Sequence, residues 1–111
     1  VLIDARLPER FSGMEEPIDR KAGHIPGAVN LPFPQHCEQG YWRSTEQLRA
    51  RYESYSTREM VCYCGSGVTA CHTILACVHA GLPEPWLYAG SWSEWITDDT
   101  RPVSSGNGQA D

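Results

Sequence analysis

The sequence predicts an α/β domain, a mostly parallel central sheet flanked by helices. Three observations carry this. Short apolar runs of strand length recur along the chain, helix-period segments with start and stop signals lie between them, and 111 residues is the length of one domain.

The first apolar run, residues 1–5, meets charge at Asp4 and Arg6, as a buried parallel strand does where its C-terminal end reaches solvent. That end is where open α/β sheets bind ligands. Residues 7–27 have little periodicity and carry Pro8, Gly13, Pro17, Gly23, Pro26 and Gly27. They read as one long loop, of a length that in compact domains is usually functional. Residues 28–31 form a second strand stopped by Pro32 and Pro34. Ser44 and Gln47 make a capping box, and Leu48, Tyr52 and Tyr55 follow at helical spacing, predicting a helix over 45–55. Residues 60–63 form a third strand that runs into Cys64-Gly65-Ser66-Gly67, whose glycines allow a tight strand-to-helix turn.

Residues 68–80 are apolar nearly all round (Val68, Ala70, Ile74, Leu75, Ala76, Val78), as in a helix packed on a sheet, and Gly81 with Pro83 stops them. Residues 86–89 read as the last strand. Ser91 and Glu94 form a second capping box, opening a short helix that carries Trp92 and Trp95. The domain is expected over 1–97, with a polar, flexible tail over 98–111. The apolar opening run and that tail give the look of a domain cut from a longer chain.

With 41% apolar and 21% charged residues, the chain needs neither a metal nor a disulfide staple, since a chain this size buries roughly two thirds of its unfolded surface. A net charge of −5 excludes a general footprint for nucleic acid or an anionic membrane; only a local basic pocket could hold an anion. No run approaches the ~18 apolar residues of a membrane span, and residues 1–4 lack the pattern of a signal peptide, so a soluble, cytoplasmic protein is expected. The five cysteines, at 37, 62, 64, 71 and 77, are odd in number and fit reduced thiols. Cys62 should face away from Tyr63, Cys71 and Cys77 should be buried in their helix, and Cys37 lies in a loop.

Cys64 is the candidate nucleophile. It follows a buried strand and precedes a glycine-bearing turn and a helix N-terminus, an arrangement that aims successive backbone N–H groups at one atom and lowers a thiol pKa. Zinc is disfavoured, because Cys62-x-Cys64 and Cys71-x5-Cys77 lack ligand spacing. A phosphatase would need an arginine at the end of the loop, where Ala70 stands after uncharged Val68 and Thr69. No Cys-x-x-Cys offers a redox dithiol.

"CGSGVTAC" at 64–71, "GHIPGAVNLPF" at 23–33, "LIDAR" at 2–6, "RF" at 10–11 and "YAGSWSEW" at 88–95 together resemble the second, catalytic domain of a two-domain rhodanese-family sulfurtransferase. Within that family the CGSGVT loop is similar to the 3-mercaptopyruvate sulfurtransferases. The resemblance implies a rhodanese-like domain that passes sulfane sulfur from a small anionic donor, through a Cys64 persulfide, to cyanide or to a thiol such as thioredoxin or a small thiol. No cofactor and no metal are expected, and the resemblance implies a preceding rhodanese-like domain in the parent chain. The N–H groups of Gly65, Ser66, Gly67, Val68 and Thr69 would cradle the persulfide, Arg10 and Arg20 would bind the donor, and Ser66 would relay a proton or cap the next helix. Arg20 stands one residue off the family spacing. Asp4 and Arg6 are expected to hold the loop rather than touch donor, and His24 in "GHIPG" resembles a structural position. Independently of family, a loop with no basic side chain suits a monocarboxylate better than dianionic thiosulfate. Thiosulfate transfer and an idle interaction module remain the alternatives.

Overall fold

In the computed structural model, which describes residues 1–106, the elements run β1 (Leu2–Asp4), α1 (Pro8–Ser12), β2 (Val29–Asn30), β3 (Cys37–Glu38), β4 (Tyr41–Trp42), α2 (Thr45–Tyr52), β5 (Val61–Tyr63), α3 (Ala70–His79), β6 (Trp86–Leu87) and α4 (Ser91–Trp95). Four strands form one sheet in the order β2-β1-β5-β6, and every neighbouring pair is parallel. The α/β reading therefore holds. Asp4 pairs with both Asn30 and Tyr63, so the chain leaves β1, β2 and β5 along one edge of the sheet.

Alternation along the strands fills a core on each face. Ile3 and Cys62 join Leu48, Tyr52, Ala76 and Cys77 on one side, whereas Tyr63 joins Phe11, Ile25, Ala28, Trp92 and Ile96 on the other. Cys62 and Tyr63 thus part as expected, and Cys77 is buried.

Several local expectations change. The loop 7–27 contains α1, which begins with Pro8 in its first turn and is closed by Gly13; both residues are ordinary helix boundaries as well as breakers. Residues 33–42 hold a 3-10 turn, Phe33–His36, and the β3–β4 hairpin, whose Gln39 and Gly40 take φ of 53° and 83°, as a two-residue hairpin turn requires. Cys37 therefore lies on a strand. The α2 capping box is formed by Ser44 and Gln47, but the helix ends at Tyr52, because Tyr55 N–H bonds back to the Tyr52 carbonyl and tightens the chain. In α3 only one side is buried; Cys71, Leu75 and Val78 are exposed, as is Val68 before it, so the all-round apolar pattern overstated burial. β6 stops at Leu87 on the sheet edge.

Residues 98–106 do not form a free tail. Ser104 makes an antiparallel bridge with His24, Gly106 N–H donates to the Ser12 carbonyl, and Trp95 Nε1 donates to the Pro102 carbonyl. The rest of the expected tail lies outside the described residues. Among those described, no helix is long and apolar enough to cross a membrane.

His36 ties the 3-10 turn to both helices of its layer: its Nδ1 lies 2.8 Å from His72 Nδ1 on α3, and its Nε2 bonds the Tyr52 hydroxyl on α2. Burial, then the Arg51 and His72 charges, push His36 down from 6.5 to about 3. Burial lowers His72 too. Between those two pH values the unfolded chain binds a proton that the folded chain refuses, so this contribution to stability is whole above pH 6.5 and is lost as pH falls toward 3. Urea unfolding of His36→Gln should show a shallower decline in stability over that window than the wild-type chain; an equal slope would remove His36 from the acid response.

Candidate active site

Cys64 follows β5 directly and is buried, with 1% of its surface exposed. Burial alone would raise its pKa, yet the thiol is driven below its ordinary value. The Thr69 hydroxyl and the N–H groups of Ala70, Gly67 and Ser66 hold the thiolate and outweigh desolvation. Gly67 N–H donates to Sγ at 3.0 Å. Of the expected cradle of N–H groups, those of Ser66 and Gly67 meet the sulfur; Thr69 contributes its hydroxyl, and the Ala70 N–H, unanticipated, joins them.

The loop can curl this way because α4 holds its outer side. Cys64 N–H donates to Ser91 Oγ at 3.1 Å, Trp92 N–H to the Cys64 carbonyl at 3.0 Å, and Ser93 N–H to the Gly65 carbonyl at 2.9 Å. Ser91 is not the capping residue its spacing implies. Gly90 occupies the N-cap without a side-chain bond, while Ser91, at φ 56°, accepts from Cys64 and donates to the Tyr88 carbonyl at 2.9 Å. A left-handed serine is strained by ~1–3 kcal/mol, a strain offset by these bonds. Sequence spacing could not reveal it; only the contact across the sheet edge does. Gly67 has φ +94°, and a Cβ there would run into the Ala89 carbonyl oxygen.

Against the loop that follows Cys64 lies a cavity of about 230 Å³ lined by Arg10, Ile18, Asp19, Gly65, Ser66, Thr69 and Ser93. The Arg10 guanidinium rests against the loop, its terminal nitrogens 3.1 Å from where a Gly65 Cβ would stand. Its Nη2 pairs with Glu16 at 3.1 Å and Asp19 at 3.2 Å. Arg20 is not brought here. Its side chain is more than half exposed, donates to the Ile96 carbonyl and lies 3.6 Å from Asp99. Ser66 is exposed at the cavity mouth and does not cap α3, whose N-cap is Thr69.

Asp4 and Arg6 support the site from below. Both are buried; Arg6 grips Asp4 at 2.8 Å, donates to the Gly23 carbonyl at 2.6 Å and lies 3.6 Å from Glu16. His24 stacks on Phe11 with ring centres 3.7 Å apart and its Nδ1 lies 2.7 Å from the Phe11 carbonyl oxygen, which places it in the frame and away from the cavity lining.

A parallel sheet whose C-terminal edge presents a cysteine among hydrogen-bond donors that favour its thiolate, beside an arginine, defines an α/β domain with a thiolate-stabilising loop. The chain belongs to the rhodanese-like domain family, whose model matches residues 1–98. It is 51% identical over 111 residues to a Pseudomonas aeruginosa protein named "Probable 3-mercaptopyruvate sulfurtransferase", covering 96% of this chain and 39% of that one. It is 41% identical over 102 residues to the thiosulfate sulfurtransferase of Bos taurus, covering 86% and 34%. The structure of Tum1 from Saccharomyces cerevisiae superposes with a TM-score of 0.80 at 30% identity, covering 96% and 40%. The chain therefore spans about two fifths or less of the length of these relatives.

Two substitutions test the cradle. Thr69→Val should raise the midpoint of the pH dependence of iodoacetamide alkylation at Cys64, because the hydroxyl bond to the thiolate is lost; an unmoved midpoint would assign the acidity to the backbone alone. Gly67→Ala should destabilise the fold by about 2 kcal/mol or more in urea unfolding, through its positive φ and the Ala89 clash.

Proposed function

We propose that the chain is a catalytic sulfurtransferase domain that takes sulfane sulfur from 3-mercaptopyruvate on Cys64 and hands it to a thiol, such as thioredoxin or a small thiol, or to cyanide. The observation that carries this is the Cys64 thiolate, stabilised by N–H groups and one hydroxyl in a loop without a basic side chain. The names of the relatives support the same reaction class.

In the first half-reaction the thiolate attacks the thiol sulfur of mercaptopyruvate. An S–S bond forms, the C–S bond breaks, and the carbon leaves as the enolate of pyruvate, which takes up the proton released from the donor thiol. The electron pair of the broken bond goes with carbon, so no external oxidant or reductant is needed. The same N–H groups that hold the thiolate then hold the persulfide, whose outer sulfur carries the negative charge. In the second half an acceptor thiolate or cyanide attacks that outer sulfur and Cys64 is released.

Arg10 takes the donor carboxylate, because its planar fork lies in the cavity wall. Arg20 does not enter this role in the arrangement seen. Ser66 passes the proton, a role its exposed side chain supports, with help from a preceding rhodanese-like domain that closes over the cavity in the parent chain. The five free cysteines suit a reducing, cytoplasmic setting. Glu16 and Asp19 beside Arg10 disfavour dianionic thiosulfate relative to a monocarboxylate.

Intact-mass spectrometry after brief exposure to 3-mercaptopyruvate should show the gain of one sulfur atom in the wild-type chain and none in Cys64→Ser. A gain in Cys64→Ser, or sustained phosphate-ester turnover by the wild-type chain, would overturn the reading.

A further inference from the structure

Arg10 is not free to receive a carboxylate, because it already holds two. They are held very differently. Glu16 is built in: it accepts the N–H groups of Ile18 and Asp19 at 3.2 and 2.9 Å, pairs with Arg10 at 3.1 Å, lies 3.6 Å from Arg6, and its carboxyl is held below its usual range, these bonds outweighing the desolvation that would raise it. Among the described residues, the Asp19 carboxylate meets Arg10 at 3.2 Å and one hydroxyl, Ser93 Oγ, at 3.0 Å. That hydroxyl has a second acceptor, the Gly65 carbonyl, at 2.8 Å. Ser93 has one proton to give, so when Asp19 departs it turns fully to Gly65 and no polar group is stranded.

We propose that Asp19 is a specificity-determining gate: its carboxylate occupies the place on Arg10 that a donor's carboxylate takes, and only a ligand able to replace it gains the cavity beside the Cys64 loop. Arg10, Asp19, Ser93 and Gly65 all line that one cavity. The charge count gives the selectivity. A monocarboxylate that exchanges with Asp19 leaves one carboxylate on Arg10 beside Glu16, as before. A dianion adds a negative charge next to Glu16 and the Cys64 thiolate, where like charges raise the energy.

As a statement about sulfur donors, this rests on the sulfurtransferase reading; as a statement about carboxylate access to Cys64, it is tested without any sulfur transfer. The probe pair is iodoacetate and iodoacetamide, which differ by one carboxylate. In both the Cys64 thiolate forms an S–C bond and iodide leaves. Rates at Cys64 are followed by peptide mass, so that Cys37 and Cys71 are counted apart.

The ratio of the iodoacetate rate to the iodoacetamide rate should rise about tenfold in Asp19→Asn, as expected for removing one like charge a few ångströms from the entering anion. It should rise in Asp19→Ser as well, and fall below wild type in Arg10→Gln. Thermal unfolding of each variant establishes that it is folded. A ratio that stays or falls in both folded Asp19 variants would overturn the gate and make Asp19 a positioning partner of Arg10. Sulfur gain from thiosulfate should increase by a larger factor than gain from mercaptopyruvate in Asp19→Asn. A shifted alkylation ratio with no sulfur gain from either donor, in any variant, would leave the gate standing and remove the sulfurtransferase reading.

Discussion

A carboxylate and a guanidinium, both shut away from water, set the frame for everything at the sheet edge. Asp4 and Arg6 are 0% and 2% exposed, and a charge so placed is tolerated only while its partners stay in contact. Arg6 binds Asp4 through Nε, Nη2 and its own backbone N–H, reaches the Gly23 carbonyl, and lies with its guanidinium carbon 4.9 Å from the centre of the Trp92 ring. One side chain thus joins the end of β1 to the long loop and to α4. Since the loop carries Arg10 and α4 carries the groups that hold the Cys64 turn, losing this contact would release both walls of the cavity together.

Within that frame the Cys64 thiolate is held by the Thr69 hydroxyl and by backbone N–H groups, while charged side chains line the cavity beside the loop. Desolvation of a thiolate and hydrogen bonding to it pull the Cys64 pKa in opposite directions, and the bonds win because α4 satisfies the outward-facing polar groups of residues 64 and 65. The inward N–H groups of 66, 67 and 70 are then left for the sulfur. Each such bond to a charged acceptor is worth roughly 1.5–3 kcal/mol, and several together are enough to offset the burial of one small anion. Cys64 is consequently acidified, whereas burial pushes the Cys62 and Cys77 thiols up to about 12 and about 11.

The parts of this that could be read from sequence are those whose signals are local. A glycine-bearing turn between an apolar run and an apolar helix marks Cys64 without any knowledge of the fold, and the Ser44–Gln47 box marks the start of α2. Where one local signal serves two structures, the reading divides. Pro8 and Gly13 punctuate a loop and also bound α1; Ser91 and Glu94 have the spacing of a capping box, yet Ser91 spends its hydroxyl on a residue 27 positions away. Nothing in the neighbourhood of position 91 encodes that. Arg10 and Arg20 share one segment and one chemistry, and they differ in their partners, Glu16 and Asp19 for the first and the Ile96 carbonyl and Asp99 for the second. Leu75 and Val78 are apolar without being covered, since composition records affinity for a core and not proximity to one.

The division between a backbone cradle and a side-chain pocket has an evolutionary corollary. Gly67 is wedged against Ala89, and Ser91 is bent to meet Cys64, so positions on the turn and on α4 can change only in concert. Arg10, Glu16, Ile18 and Asp19 instead hang from a segment anchored at its far end by Arg6 and Ser104. Substitutions at three or four of these positions can therefore reshape the cavity while leaving the Cys64 turn unchanged.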